Sequence, residues 1–366
     1  MSVSDHPVIV VEDDPFPRIV QVVLDPATPE ARSAAFAHFY AHEVPDFAGW
    51  CQGLRARLPL LYPASVRLVS DEPGLLEAVP GAQVVMVESL PVGSRAIVAG
   101  GGTLRIVQKY GTVLGNIDVE ACRRAGLQVR TLRRRANAAC AEHAFALMLA
   151  LARKVSATRG LVSVEQLREA GYVPTRYDRS HTANANWARI SGIRTLYGQQ
   201  LGIIGLGEIG REVALRAAAF GMRTVYAQRN ALAPDVEASY GAHFVPLDEL
   251  LATSDFVSLH LPATDATRGI IGAREFSRLK PGAIVVNVSR PHLIDRAALL
   301  EALRAGSLGG FGLDPHYDAP GRPDDPLLAF DNVIVTPHIA AAPRFNSLGD
   351  FEELLLGLQQ ALEKRG

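Results

Sequence analysis

The chain has 366 residues, 48% of them hydrophobic and 20% charged, with a formal net charge of −1. That length exceeds what one core ordinarily supports, so a soluble globular protein of two domains is expected. The near-neutral balance provides no electrostatic footprint for nucleic acid or an anionic membrane. Cys51, Cys122 and Cys140 are scattered and odd in number. They fit neither a disulfide framework nor a metal site, and they point to a reducing cytoplasm. The opening MSVSDHPVIVVEDD lacks a basic region followed by an apolar core, so no secretory signal is expected. The most apolar helix, around Ala144–Ala152, is too short to span a bilayer.

Arg18–Leu24, Val66–Val69, Val84–Val87 and Arg105–Gln108 read as strands, and Pro29–Arg57 as one helix. No glycine fingerprint accompanies them, which suits substrate-side loops better than a second nucleotide site. Ala141–Arg153 predicts a strong helix that opens a nucleotide domain. The polar stretch 157–198 contains Trp187 and several arginines, and reads as a dimer arm, a lid or a plain surface connection. Beyond it, short apolar runs alternate with amphipathic ones, the pattern of a parallel sheet covered by helices. The expected strands are Leu201–Ile204, Thr224–Ala227, Phe256–Leu261, Ile284–Val288, Phe311–Leu313 and Val333–Thr336, enough for a doubly wound nucleotide fold. Asp295–Leu303 reads as a helix with Asp295 as N-cap and Gly306 past its end, followed by a Pro/Gly/Asp-rich loop from Asp314 to Pro326.

The segment LGIIGLGEIG, Leu201–Gly210, sets an apolar strand directly against a Gly-x-Gly-x-x-Gly turn. Gly205 would make the tight turn, Gly207 would let the backbone approach a pyrophosphate, and Gly210 would let the next helix lie close to the sheet. Ile209, Val213, Ala217 and Phe220 form one helical stripe, with Gly221 in the C-cap position. Free amides at the start of this helix, Glu208 and Ile209, would face the phosphates. An NAD site wants an acidic side chain about twenty residues after the glycines, for the ribose 2′-hydroxyl. Here stand Gln228 and Arg229, so nothing repels a 2′-phosphate and Arg229 is available to bind it. NADP(H) is therefore favoured over NAD(H).

Asn287-Val288-Ser289-Arg290 ends an apolar strand, so Arg290 emerges at the carboxyl edge of the sheet, where it could clamp a carboxylate or remain a surface arginine. Thr336-Pro337-His338-Ile339 ends the last strand similarly, and a histidine there could exchange a proton near neutral pH or serve structure. Taken in order with Asp314 on Gly-Leu-Asp, these features resemble the D-isomer-specific 2-hydroxyacid dehydrogenase family. The resemblance covers most of the chain. It extends to KYGTVLGNID at Lys109–Asp118, to Ala141-Glu142-His143, to Asp324-Asp325-Pro326-Leu327-Leu328 and to Pro337-His338-Ile339-Ala340.

The resemblance implies an α/β protein with a Rossmann dinucleotide-binding domain, residues 139–337, inserted into a flavodoxin-like α/β substrate domain, residues 1–138 and 338–366. The active site would lie in the cleft and the protein would be a homodimer. The reaction would be hydride transfer between nicotinamide and C2 of a 2-oxo or 2-hydroxy acid. Arg290 would hold the carboxylate and carbonyl, and His338 would be the acid/base. Asp314 would hold the nicotinamide carboxamide, with Leu261, Pro262, Val288 and Ser289 also at the cofactor. Gly111, Thr112 and Arg135 would serve the substrate.

The sequence departs from the family at three places. The glutamate that normally pairs with the histidine is Ala319, and Asp318, adjacent, or His316, nearby, are the candidate substitutes. Pro291 follows Arg290 where glycine is usual, removing an amide and biasing Arg290 toward extended backbone. Arg133-Arg134-Arg135 stand where the family has proline, small residues or glycine, either as an anion site or as an exposed run. A cofactor-sensing corepressor-like protein and a formate-type dehydrogenase are the alternatives; retention of Arg290 and His338 favours enzymatic chemistry.

Overall fold

A computed structural model describes residues 6–364. It divides into two compact units, Met1–Ala139 with Ala341–Gly366, and Cys140–Ala340. Unit 1 holds five parallel strands, β1 (Val8–Glu12), β2 (Ser65–Val69), β3 (Val84–Val87), β4 (Ile106–Lys109) and β5 (Gln128–Arg130), in the order β2-β1-β3-β4-β5. That is the flavodoxin-like order. Alternate residues divide cleanly between two cores. Ile9, Val11, Val66, Val84, Met86 and Ile106 face one side, and Val8, Val10, Val69, Val85, Val87 and Val107 the other.

Two expectations for this unit need correction. Ile19–Leu24 is a helix, not a strand, and five of its six residues are buried. A short apolar run bounded by prolines does not distinguish a buried strand from a buried helix by periodicity. The strand that does form, β1, lies just before it. The expected single helix at 29–57 is two, Glu30–Tyr40 and Phe47–Arg55, because Asp46 caps the second by accepting from the Gly49 amide at 2.8 Å.

Unit 2 contains seven parallel strands rather than six: β6 (Gln200–Ile204), β7 (Arg223–Ala227), β8 (Ala242–Phe244), β9 (Phe256–Leu259), β10 (Ile284–Asn287), β11 (Gly310–Leu313) and β12 (Val333–Val335). Their order, β12-β11-β10-β9-β6-β7-β8, is the doubly wound Rossmann order with one further strand at its edge. Both faces are covered, which is why these strands read as continuous apolar runs. One face packs Leu201, Ile203, Tyr226, Phe256 and Val286 beneath Ala144, Leu147 and Met148 of the Arg135–Ala152 helix and Val213 and Ala217 of the Glu208–Ala219 helix. The opposite face packs Ile204, Val257, Leu259, Val285 and Phe311 against Leu250, Phe276, Leu299 and Leu303. Asp295 caps the Arg296–Arg304 helix through the Ala298 amide at 2.7 Å, as its position predicts. The stretch 170–199 contains no helix or strand among the described residues apart from turns. Arg194 fastens it to the sheet by donating to Gly282 O at 2.6 Å.

Candidate active site and dinucleotide site

Because every strand of unit 2 is parallel, all carboxyl ends lie on one edge. The register aligns Ala227, Ile204, Leu259, Asn287, Leu313 and Val335 in one row. The residues just beyond that row are Gln228, Gly205, His260, Val288, Asp314 and Thr336, so the predicted site residues converge through topology alone. The strand order reverses between β6 and β9, where ligands of open α/β sheets bind.

The three glycines of the turn differ in why they are needed. Gly205 has φ +97° and a Cβ there would lie 2.8 Å from His260 O, so both conformation and packing demand glycine. At Gly210 a Cβ would lie 2.2 Å from Gly205 O. Gly207 has φ −81°, a value any residue adopts, and a Cβ there would meet nothing within 4 Å. It caps the Glu208–Ala219 helix without a side-chain hydrogen bond. Nothing inside the fold requires glycine at 207, and the space beside it lies at a helix N-terminus, so the residues present fit a dinucleotide pyrophosphate. Ile209 packs partly buried on the core, and Leu261 lies beside Gly205.

At the end of β7, Gln228 Oε1 accepts from the Leu206 amide at 3.1 Å and its Nε2 donates to Asn230 O at 2.8 Å. The side chain that replaces the ribose acid thus braces the glycine turn. Arg229 is exposed and has no hydrogen bond or ion pair among the described residues. His260 is enclosed, with Nε2 2.7 Å from Ser258 Oγ and Nδ1 without a partner, and burial pushes its pKa down to about 3.

Arg290 owes its exposure to Asn287. The fully buried Asn287 amide accepts from Ser289 N at 3.0 Å and donates to Arg290 O at 2.8 Å, which shapes the turn. Ser289 Oγ donates across to Leu259 O at 2.7 Å, closing Val288 and Ser289 into the sheet end. Arg290 has φ −139° and ψ 133°, the extended backbone that Pro291 favours. Its guanidinium donates only to Ser289 O, at 2.8 Å, and pairs with no carboxylate among the described residues.

The turn carrying His338 is built on Asp314, which is fully buried. The Asp314 carboxylate accepts from Thr336 Oγ1 at 2.7 Å, Ile339 N at 2.9 Å and Ala340 N at 2.9 Å. His143 Nε2 lies 2.9 Å from Thr336 Oγ1 and 3.5 Å from Asp314. His316 Nε2 lies 2.9 Å from Thr336 O. His338 itself is exposed, in left-handed backbone at φ +56°, and its ring has no hydrogen-bonding or ionic partner among the described residues. Asp318, the candidate substitute for the missing glutamate, is exposed and lies 3.6 Å from Arg296, with no bond to the His338 ring among the described residues. Ala319 offers no carboxylate, and none pairs with the His338 ring among the described residues. Thr336 and His143 could not be found as a pair from sequence, since they are 193 residues apart and carry no shared motif.

Of the residues expected at the substrate in unit 1, Gly111 is buried with φ +150° and accepts from Leu132 N, with Thr112 next to it. Arg135 is engaged within the unit, donating to Asp350 at 2.8 Å and Glu353 at 2.8 Å. The arginine run is not uniformly exposed. Arg134 is largely enclosed, 4.1 Å over the Tyr110 ring and donating to Glu88 at 2.6 Å. Burial of Glu88 raises its pKa, with Arg134 opposing.

Residues 145–340 match the family model described as D-isomer specific 2-hydroxyacid dehydrogenase, NAD binding domain. The chain belongs to the D-isomer-specific 2-hydroxyacid dehydrogenase family. As a member it is an oxidoreductase of the class acting on CH–OH groups, with a nicotinamide-dinucleotide-binding Rossmann domain. Glyoxylate reductase of Korarchaeum cryptofilum is 40% identical over 240 residues, 65% of this chain and 67% of that one. D-3-phosphoglycerate dehydrogenase of Archaeoglobus fulgidus is 36% identical over 272 residues, 74% of this dehydrogenase but 47% of that protein, so the chain spans about half of its length. The crystal structure of a glyoxylate reductase from Paecilomyes thermophila superposes with a TM-score of 0.55 at 25% identity, covering 98% of this chain and 96% of that one. Among the described residues no helix is long and apolar enough to cross a membrane, and no cluster of metal-binding side chains occurs.

Proposed function

We propose that this dehydrogenase reduces a small 2-oxo acid of the glyoxylate or hydroxypyruvate class, with NADPH preferred over NADH. The observation that carries the reading is the placement of Arg290 and His338 on one sheet edge, both exposed and neither held by an ionic partner among the described residues. They follow β10 and β12, two strands apart, a separation of about 10 Å at the ordinary interstrand spacing. That span suits a small acid gripped at its carboxylate by one group and protonated at its carbonyl oxygen by the other. The guanidinium fork of Arg290 binds the carboxylate and polarises the carbonyl. An imidazole nitrogen of His338 gives its proton to the forming alkoxide. The nicotinamide, when bound, supplies the hydride. Arg135 is assigned to Asp350 and Glu353, leaving the substrate carboxylate to Arg290.

The preference for NADPH rests on Gln228, which adds no negative charge beside the turn, and on the unengaged Arg229. The three cysteines, buried and outside any disulfide, support a cytoplasmic home, and the family supports a homodimer, which light scattering would test. The deciding experiment is a panel of glyoxylate, hydroxypyruvate and a bulkier 2-oxo acid, run with both cofactors. NADPH-dependent turnover should fall about a hundredfold or more in kcat/KM on Arg290→Ala. No turnover with any acid, despite tight NADPH binding, would overturn the reading.

A further inference from the structure

The carboxylate closest in bonding to His338 is not on its ring but beneath its backbone. Asp314 stands at the end of β11, and the neighbouring β12 leads through Thr336 and Pro337 into His338. The His338 amide donates to Asp314 O at 3.1 Å, and the next two amides, of Ile339 and Ala340, both donate to the Asp314 carboxylate at 2.9 Å. Three consecutive peptide groups are thus tied to one residue. The side chain of Thr336, two residues before His338, completes the ring of donors at 2.7 Å.

The direction of each hydrogen bond follows from the inventory of protons. An ionised carboxylate only accepts, and Thr336 has a single hydroxyl proton, so that proton goes to Asp314. The Thr336 oxygen must then accept from His143, which therefore carries its proton on Nε2. His143, Thr336 and Asp314 form a one-way chain that ends on the amides bracketing His338. A buried, fully donated carboxylate of this kind is rigid, because rotating it would strand buried donors. Its geometry passes directly to the left-handed turn at φ +56° that aims the imidazole.

We propose that Asp314, aligned by Thr336 and His143, is the positioning residue for His338, acting through the backbone where Ala319 leaves no carboxylate to orient the ring. The inference rests on the acid/base reading of His338, and it differs from the role at the nicotinamide carboxamide that resemblance assigns to Asp314. The three hydrogen bonds it accepts place that carboxylate inside the turn, with no exposed surface.

The test uses the full chain with ¹⁵N-labelled histidine. Asp314→Asn places an NH₂ against buried amide donors and is prone to unfold, so Thr336→Val is the principal variant and Thr336→Ser its rescue. Thr336→Val should lower kcat about tenfold with KM and NADPH affinity within about twofold, and should shift the histidine limb of the pH profile, whereas Thr336→Ser should restore all three. The imidazole resonances of His338, assigned with His338→Gln, should change tautomer balance or titration in Thr336→Val and return in Thr336→Ser. Unchanged His338 resonances in Thr336→Val would overturn the proposal. So would a loss confined to NADPH affinity, which would place Asp314 at the nicotinamide instead. If the wild-type protein reduces no acid, the functional reading fails, and the His338 resonances still decide the positioning role.

Discussion

Gly207→Ala separates ligand binding from folding in a way the other two glycines of the turn cannot. The added methyl meets no protein atom within 4 Å and the backbone, at φ −81°, already suits alanine. Two small terms oppose each other in the folded protein. Alanine is a poorer N-cap than glycine by about 0.5–1 kcal/mol, while the loss of unfolded-chain freedom returns about 0.4–1 kcal/mol. The melting temperature should therefore stay within a few degrees of wild type. A pyrophosphate approaching the helix amides would meet the methyl first. Losing one or two hydrogen bonds to a charged oxygen, at about 1.5–3 kcal/mol each, weakens binding by about one to three orders of magnitude or more. Gly210→Ala is the control: its methyl would sit 2.2 Å from Gly205 O, so strand and helix must part and stability should fall by at least about 1–3 kcal/mol. Titration of NADPH fluorescence beside a thermal melt measures both quantities. If Gly207→Ala bound NADPH as tightly as wild type, the assignment of the turn to the pyrophosphate would fail.

Arg229→Ala should weaken NADPH by about ten- to a hundredfold while leaving NADH within about twofold, read from the two dissociation constants; equal weakening of both would remove Arg229 from the 2′-phosphate. His260 has a folded-state pKa of about 3 against the ordinary 6.5, so only the unfolded chain takes up its proton as pH falls below about 6.5. Its presence should therefore cost about 2 kcal/mol of stability between pH 7 and pH 5, a loss that urea titrations of His260→Asn should lack. Asp318→Asn should leave the pH profile of turnover unchanged, since that carboxylate faces Arg296; a displaced histidine limb would show that Asp318 reaches His338 after all.

The nucleotide half was legible because its physics is local. Ile203 and Ile204, the glycines and the Ile209–Phe220 stripe lie within twenty residues, and each has a reason visible in the chain. Arg290 and His338 were legible as strand-end residues because a parallel sheet puts all such ends together. The companions of His338 were not. Asp314 was recognisable as a site residue, but its engagement with Thr336 and His143 depends on β11 and β12 lying beside the helix that contains His143. Resemblance placed a carboxylate near position 319, and the chain supplied one beneath the turn. In unit 1, the Ile19–Leu24 run shows the limit of composition: with nearly every position buried, no exposed residue remains to report the period. The short strands β5 and β8, three residues each, give too few alternations to be read.

Under the proposed acid/base role of His338, its left-handed backbone sets protein stability against turnover at a single position. Holding a residue with a Cβ at φ +56° costs about 1–2 kcal/mol relative to glycine, part of which glycine loses again through its freedom in the unfolded chain. His338→Gly should accordingly be slightly more stable than wild type, by about 1 kcal/mol or less, while abolishing turnover. A library at this position ranked by heat resistance would then run opposite to one ranked by rate. Selection for robustness alone would discard the histidine first.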